Sequence, residues 1–239
     1  MSGIALSLII PCYNEAANLP LLIGRLAEGF KRSNVEVILV DNGSTDESPN
    51  ILSEATERHP SLRSVRVDVN QGYGHGIVVG LREARGRYLG WTHADLQTDP
   101  EDVLRALTLL EKAGNPENIF VKGRRHGRPL ADIIFTMGMS VFESVLFRSP
   151  LWDINAQPNI FPRSFFETWS APPQDFSLDL FAYVMALRAG LRIERFPVRF
   201  GKRAHGTSHW NINWKAKVKF IKRTVAFSFQ LLRNWRKGQ

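Results

Sequence analysis

Three polar residues set two apart, His93, Asp95 and Gln97, close an apolar run that enters from Tyr88. In an extended chain successive side chains alternate faces, so all three would point the same way. Asp95 and Gln97 offer hard oxygen donors of the kind Mg2+ or Mn2+ takes, with a diphosphate completing the shell. His93 can ligate a metal when neutral or donate to a phosphate when protonated. The plain alternative is a strand end followed by a turn, with Asp99 as N-cap and Pro100 at the first helical position.

Other polar clusters recur along the chain. Asp41-Asn42-Gly43-Ser44-Thr45-Asp46 follows an apolar run. Thr45 or Asp46 would cap the next helix, which leaves Asp41 either as a turn residue or as an acceptor for a nucleobase or ribose. Gly72-Tyr73-Gly74-His75-Gly76 has Ile77 where the dinucleotide-binding pattern needs glycine, so a close-packed loop entering a helix is the better reading. Gly123–Arg128 is a compact basic loop, either solvated or anion-binding. Asp175 and Asp179, four apart, would share one helical face as a cap and a surface carboxylate. Arg203–Trp210 is a cationic, glycine-containing loop able to close over an anion.

The elements that must position these groups alternate in type. Leu6–Ile10, Val35–Val40, Leu62–Val69 and Tyr88–Trp91 read as short strands. Ala16–Phe30, Asp46–Arg58 and Gly76–Ala84 read as amphipathic helices between them. Glu101–Ala113 is a further helix and Ile119–Lys122 a further strand. Such alternation argues for an α/β fold with a mostly parallel sheet covered by helices, whose ligands sit at the carboxyl ends of strands. The loops there, Pro11–Asn14, Asp41–Thr45, Asn70–Gly76 and Thr92–Thr98, are all polar or glycine-rich. One domain is expected over residues 1–200, extended by residues 201–239.

Composition is that of an ordinary globular protein, 44% apolar and 23% charged. The single cysteine, Cys12, excludes an internal disulfide and fits a reducing compartment. The N-terminal run Ile4–Ile10 lacks a secretory pattern. No stretch reaches the roughly 20 apolar residues of a membrane span, and Ala131–Phe147, which carries Asp132 and Glu143, reads as a buried or half-buried helix. The net charge of +8 sits at one end: residues 197–239 hold eleven Lys/Arg and no acid, and the rest of the chain is net −3. A uniformly basic nucleic-acid binder would not look like this. Within Trp214–Lys237 apolar residues fall at helical spacing with eight Lys/Arg between them. That pattern suits a helix on an anionic membrane surface or one packed on the domain with a basic solvent face.

Taken in order, these motifs resemble the inverting glycosyltransferases of family 2, which have the GT-A nucleotide-sugar fold. The likeness is to dolichyl-phosphate mannose synthases and bacterial polyprenyl-phosphate glycosyltransferases, and it runs from Ile9–Glu15 through Asp41–Asp46, Asn70–Gly76, Ala94–Gln97, Gly123–Arg125 and Asp153–Phe161 to Arg203–His209. It implies that Pro11, Tyr13, Glu15 and Asp41, with Leu39 beside them, line a nucleoside pocket. Ala94 and Asp95 would meet the diphosphate and metal, and Gln97 would join the metal's shell. Arg125, Arg203 and the pair Ser208-His209 would contact phosphate or the acceptor. Five positions depart from the family pattern: Asn42 for a second acid, His93 for the first aspartate of the metal motif, His209 for lysine, and Gln157-Pro158 for Gly-Phe.

The resemblance implies Mg2+- or Mn2+-dependent inverting transfer from a GDP- or UDP-linked sugar to a polyprenyl phosphate or a related glycan or lipid acceptor. Arg125 and Arg203 would stabilise the leaving diphosphate, and His93 would touch the diphosphate or ribose rather than the metal. An ionised phosphate acceptor needs no strong base, whereas a hydroxyl would need Asp175 or Asp179. The alternative is a catalytically weakened nucleotide-sugar-binding partner in a glycosylation complex. The expected location is the cytoplasm, peripherally at the membrane's cytoplasmic face through the C-terminal helix.

Overall fold

The computed structural model describes residues 3–31, 34–205 and 214–236. Seven strands form one sheet in the order β3-β2-β1-β4-β6-β5-β7. They are β1 (Leu6–Cys12), β2 (Val35–Asn42), β3 (Leu62–Val67), β4 (Tyr88–Trp91), β5 (Ile119–His126), β6 (Asn159–Pro162) and β7 (Arg192–Arg199). β6 runs antiparallel to both β4 and β5, and every other pairing is parallel.

Eight helices accompany the sheet among the described residues: α1 (Leu19–Gly29), α2 (Ser48–Arg58), α3 (Tyr73–Glu83), α4 (Asp102–Glu111), α5 (Leu130–Phe147), α6 (Arg163–Glu167), α7 (Leu178–Arg188) and α8 (Trp214–Arg236). Strand alternation divides the core. Leu6, Leu8 and Ile10 of β1 face α1, α2 and α4, while Ile9 faces the layer built by α3, α6 and α7. A strand buried on both faces must be apolar throughout, which is why β1 and β2 read as continuous apolar runs.

Element ends differ from expectation by a few residues, and local chemistry explains where. α1 starts at Leu19 rather than Ala16 because Asn18 N–H and Leu19 N–H both bond to Glu15 O, closing a turn first. Asp46 precedes α2, accepting the amide protons of Ser48 and Ala16. α4 starts at Asp102, with Asp99 accepting from Glu101 N–H in the turn before it. α3 starts at Tyr73, three residues early, since Gly72 (φ +116°) makes the turn. A side chain on Gly72 or Gly74 would come within 2.5 Å of the carbonyl oxygens of Gln174 or Pro173, so this loop is close-packed as its sequence indicates.

One expectation is corrected and a second is refined. α7 begins at Leu178, so Asp175 lies in the turn before it and shares no helical face with Asp179. α5 is half-buried, but its exposed side is apolar: Leu130, Ile134, Met137, Val141 and Val145 are each about half exposed or more. Its buried side carries Ser140, Glu143 and Phe147. α8 packs on α5, with Ser228 Oγ donating to Glu143 Oε1 at 2.6 Å and Phe229 meeting the ring of Phe142.

Candidate active site

The sheet reverses its winding between β1 and β4, the place where such folds bind ligands. The carboxyl ends of β1, β2 and β4 deliver Glu15, Asp41 and Asp95 to one rim. Asp95 is 4% exposed. Its Oδ1 accepts the Gln97 amide proton at 3.1 Å, a turn that holds Leu96 in the left-handed region (φ +58°). Its Oδ2 meets the Arg203 guanidinium at 2.8 Å. Burial raises the Glu15 pKa, partly offset by its bond from Asn18; the charges of Arg203, Asp95 and His93 also reach it.

Asp41, also buried, accepts Ser44 N–H at 2.9 Å and pairs with Arg66 at 3.2 Å. Tyr13 at the rim is 42% exposed and Ala94 is buried. Pro11 is half-buried in β1. Leu39, expected beside the nucleoside pocket, is fully buried in the core. Asn42 spends its amide on Gly72 O at 2.9 Å, so the residue in place of a second acid ties β2 to the glycine loop. Ser208 and His209 lie outside the described residues.

A strap formed by Phe200–His205 joins the halves of the site. Gly201 N–H bonds to Gln97 O at 2.7 Å, and the Gln97 side-chain amide donates to Gly201 O at 3.2 Å. Asn18 donates to His205 O at 3.3 Å. On the far side Phe200 N–H bonds to His126 O, and the Arg125 guanidinium lies 5.1 Å from the Phe200 ring centroid.

Arg125 is fixed by Asp153, whose oxygens accept from its backbone amide and Nε at 2.9 Å each and from Nη2. Arg128 and Arg195 also lie within 4 Å of Asp153. Burial would raise the Asp153 pKa, but Arg125 and Arg128 overcome it and hold the carboxyl below its ordinary value. Three guanidinium groups around one carboxylate leave an excess of positive charge. Arg125 also lines a small cleft with Phe135, Met139, Glu143, Ile154, Phe176 and Thr224.

Asp175 and Asp179, the candidate bases, are differently placed. Asp175 accepts Ser177 N–H and pairs with Arg223 at 3.0 Å. Asp179 is 2% exposed, and its Oδ1 accepts from Trp91 Nε1 (3.2 Å), Gln157 Nε2 (2.8 Å) and Asn159 Nδ2 (2.9 Å). Burial raises its pKa, opposed by Lys122 and His93. Lys122 donates to Ala156 O and Asn159 Oδ1 at 2.8 Å each, and burial pushes its pKa down to about 7. Gln157 also donates to Tyr73 Oη; Tyr73 stacks on His93 at 5.5 Å and on Phe176 at 4.7 Å.

Sequence reasoning missed this buried layer of Trp91, Lys122, Gln157 and Asn159. The alternation of Asn155, Gln157 and Asn159 was its one visible signal. Gln157, one of the departures from the family pattern, is 1% exposed and lies beneath the site.

The sequence profile of glycosyl transferase family 2 matches residues 7–168. The chain belongs to glycosyl transferase family 2. Among curated proteins this family 2 chain is 39% identical over 110 residues to an undecaprenyl-phosphate 4-deoxy-4-formamido-L-arabinose transferase of Pseudomonas savastanoi, a match covering 44% of the chain and 32% of the relative. It is 36% identical to the protein of the same name from Photorhabdus laumondii, over 44% of the chain and 34% of the relative. The chain thus matches about a third of the length of these relatives. Among solved structures it resembles a mannosyltransferase of Pyrobaculum calidifontis in complex with GDP-mannose and Mn2+, with a TM-score of 0.68 at 21% identity over 96% of this chain and 65% of the other. It also resembles glucosyl-3-phosphoglycerate synthase of Mycobacterium tuberculosis in complex with Mn2+, UDP and phosphoglyceric acid, with a TM-score of 0.75 at 17% identity over 97% and 79% of the two chains. The family 2 chain has the GT-A fold of these glycosyltransferases.

Proposed function

We propose that the chain transfers a sugar from a GDP- or UDP-linked donor to a polyprenyl phosphate or a related glycan or lipid acceptor, with inversion at the anomeric carbon. The observation that carries this reading is the Asp95–Arg203 pair at the switch point of the sheet, 2.8 Å apart and flanked by Glu15 and Asp41. Curated relatives are named as undecaprenyl-phosphate sugar transferases, which supports the acceptor class. Residues 201–239 are read as an extension of the same domain.

In this reading the acceptor oxygen attacks the anomeric carbon while the bond to the diphosphate breaks, its electron pair leaving on the diphosphate. Asp41 and Glu15, with Pro11 and Tyr13, hold the nucleoside; Ala94 and His93 border the diphosphate. Arg203, released from Asp95, and Arg125 face the charge that grows on the leaving group, the largest lever such a site has. Ser208 and His209 are assigned to the same phosphate-binding loop. A phosphate acceptor, with a second pKa near 6 by analogy with phosphomonoesters (roughly), is already a nucleophile at neutral pH. For a hydroxyl acceptor Asp175 or Asp179 is the candidate base, and Asp179 would first have to loosen its three donors.

A divalent cation fits the acid-rich rim. Asp95 is a buried carboxylate that already holds one cation, the Arg203 guanidinium. Among the described residues no group of three His, Cys, Asp or Glu is arranged to hold a metal alone, so Asp95 and Gln97 would share Mg2+ or Mn2+ with the donor's phosphate oxygens and water. When bound, that ion neutralises negative charge on the diphosphate. The proposed location is peripheral, with α8 at a membrane surface.

A thermal-shift panel of nucleotide sugars with and without Mn2+, followed by assay of nucleoside diphosphate release on addition of polyprenyl phosphate, tests the reading. Stabilisation by one nucleotide sugar and acceptor-dependent release are expected. A chain stabilised by no nucleotide sugar, with or without metal, overturns it.

A further inference from the structure

The surface of α5 and α8 presents apolar groups where a water-soluble face would be polar. Leu130, Ile134, Met137, Val141 and Val145 are exposed by 71, 62, 52, 49 and 73%. Their spacing of four, three, four and four residues places them on one stripe of α5. The helix is apolar and long enough to cross a membrane by length and composition, yet Ser140, Glu143 and Phe147 anchor its other side in the protein. A helix so anchored can lie along a surface but not thread through it.

α8 extends the stripe. Its buried side, Ser228 and Leu231, is turned inward, so the apolar residues that define it in sequence are partly spent on packing. Phe229 is half exposed and meets Phe142 of α5 edge-on. Lys222 and Arg233, seven residues before and four after Phe229, lie on its exposed face. Over its whole length α8 carries Lys215, Lys217, Lys219, Lys222, Arg223, Arg233 and Arg236 and no acidic residue.

We infer that α5 and α8 together form a membrane-docking face, in which the α5 stripe and Phe229 enter the interface of an anionic bilayer and Lys222 and Arg233 of α8 engage its headgroups. Apolar stripe beside basic flank is the arrangement that interfacial helices need. A second copy of this chain is the poorer occupant, because a symmetric contact would bring two acid-free basic helices together. The inference moves the apolar contact from α8 to α5 and does not depend on the acceptor proposed above.

The test is cosedimentation of the full chain with phosphatidylglycerol/phosphatidylcholine vesicles and with phosphatidylcholine alone. Binding to the anionic vesicles, weakened by salt, is expected. Ile134→Glu/Val141→Glu should reduce it by about tenfold or more, since two carboxylates would have to enter the interface. Met137→Glu should reduce it several-fold, and Lys222→Glu/Arg233→Glu should remove most of the salt dependence. All these positions are exposed, so circular dichroism and the donor-induced thermal shift should be unchanged. Three results overturn the inference: wild-type chain left in the supernatant with anionic vesicles, binding indifferent to both α5 variants, or a solution dimer that the α5 variants dissociate. Failure of the donor thermal shift with vesicle binding intact would instead sink the sugar-transfer reading alone.

Discussion

Two carboxylates, Asp95 and Asp153, organise the opposite ends of the Phe200–His205 strap, and their surroundings carry opposite excess charge. Around Asp95 the acids Glu15 and Asp95 face one guanidinium, Arg203. Around Asp153 one acid faces Arg125, Arg128 and Arg195. The first arrangement has room for another cation and the second for an anion. The donor diphosphate of the proposed transfer would meet both, and the strap through Gln97, Gly201, Phe200 and Arg125 links them. Opposite polarity at two ends of one strap says more about function than either cluster alone.

The contrast can be broken most severely at its acidic end. Asp95→Asn keeps the shape and removes the charge, and sugar transfer should fall by about 10²–10³ with loss of Mn2+-dependent donor stabilisation; full turnover would show that the acid-rich end is not the cation site. At the basic end, Asp153→Ala leaves three partly buried guanidinium groups without their carboxylate. Chemical denaturation should report a loss of about 3–5 kcal/mol, whereas an unchanged midpoint would mean the cluster is held by packing instead.

Glu143, which lines the cleft beside Arg125, sharpens the comparison through pH. Burial raises its pKa from 4.5 to about 7, so between those values the folded chain holds a proton the unfolded chain has released. Its contribution is therefore complete below pH 4.5 and fades as pH rises to 7, by about 2–3 kcal/mol. Glu143→Gln should flatten that part of the stability profile; an identical slope in the variant would place Glu143's proton elsewhere. The smallest effect is expected from Asn42→Asp, which restores a second acid but deletes the donor to Gly72 O. A loss of about 1 kcal/mol should appear in thermal melts, and a gain would mean the loop tie is dispensable.

The acid-rich end was legible in sequence because parallel strands announce themselves. β1, β2 and β4 are apolar runs ending in polar loops, and their ends carry Glu15, Asp41 and Asp95 within a residue or two of expectation. The basic end was legible only in part. Arg125 stood out in a charge run, but its fixation by Asp153 joins residues 28 apart through a turn with positive φ. β6 is four residues closed by Pro162, and β7 alternates Arg and Glu with apolar residues as an edge strand does, so neither gives a core-strand signal. The buried layer under Asp179 was hidden for a related reason. Lys122, Gln157 and Asn159 are polar types whose burial follows only from partners supplied by three separate elements.

The Asp95–Arg203 contact has a kinetic consequence. A free divalent ion arriving alone would have to evict a guanidinium and gain only one carboxylate and an amide oxygen, a poor exchange. A nucleoside diphosphate would offer Arg203 phosphate oxygens to pair with in place of Asp95, and a divalent ion arriving with it would be held by Asp95 and Gln97. Metal and nucleotide should therefore load as a single unit, each tightening the other's binding, and titrations of Mn2+ in the presence and absence of nucleoside diphosphate should report that synergy as a shift in apparent affinity. In the proposed transfer, loss of the diphosphate would let Arg203 return to Asp95, so that this ion pair would compete with the spent donor.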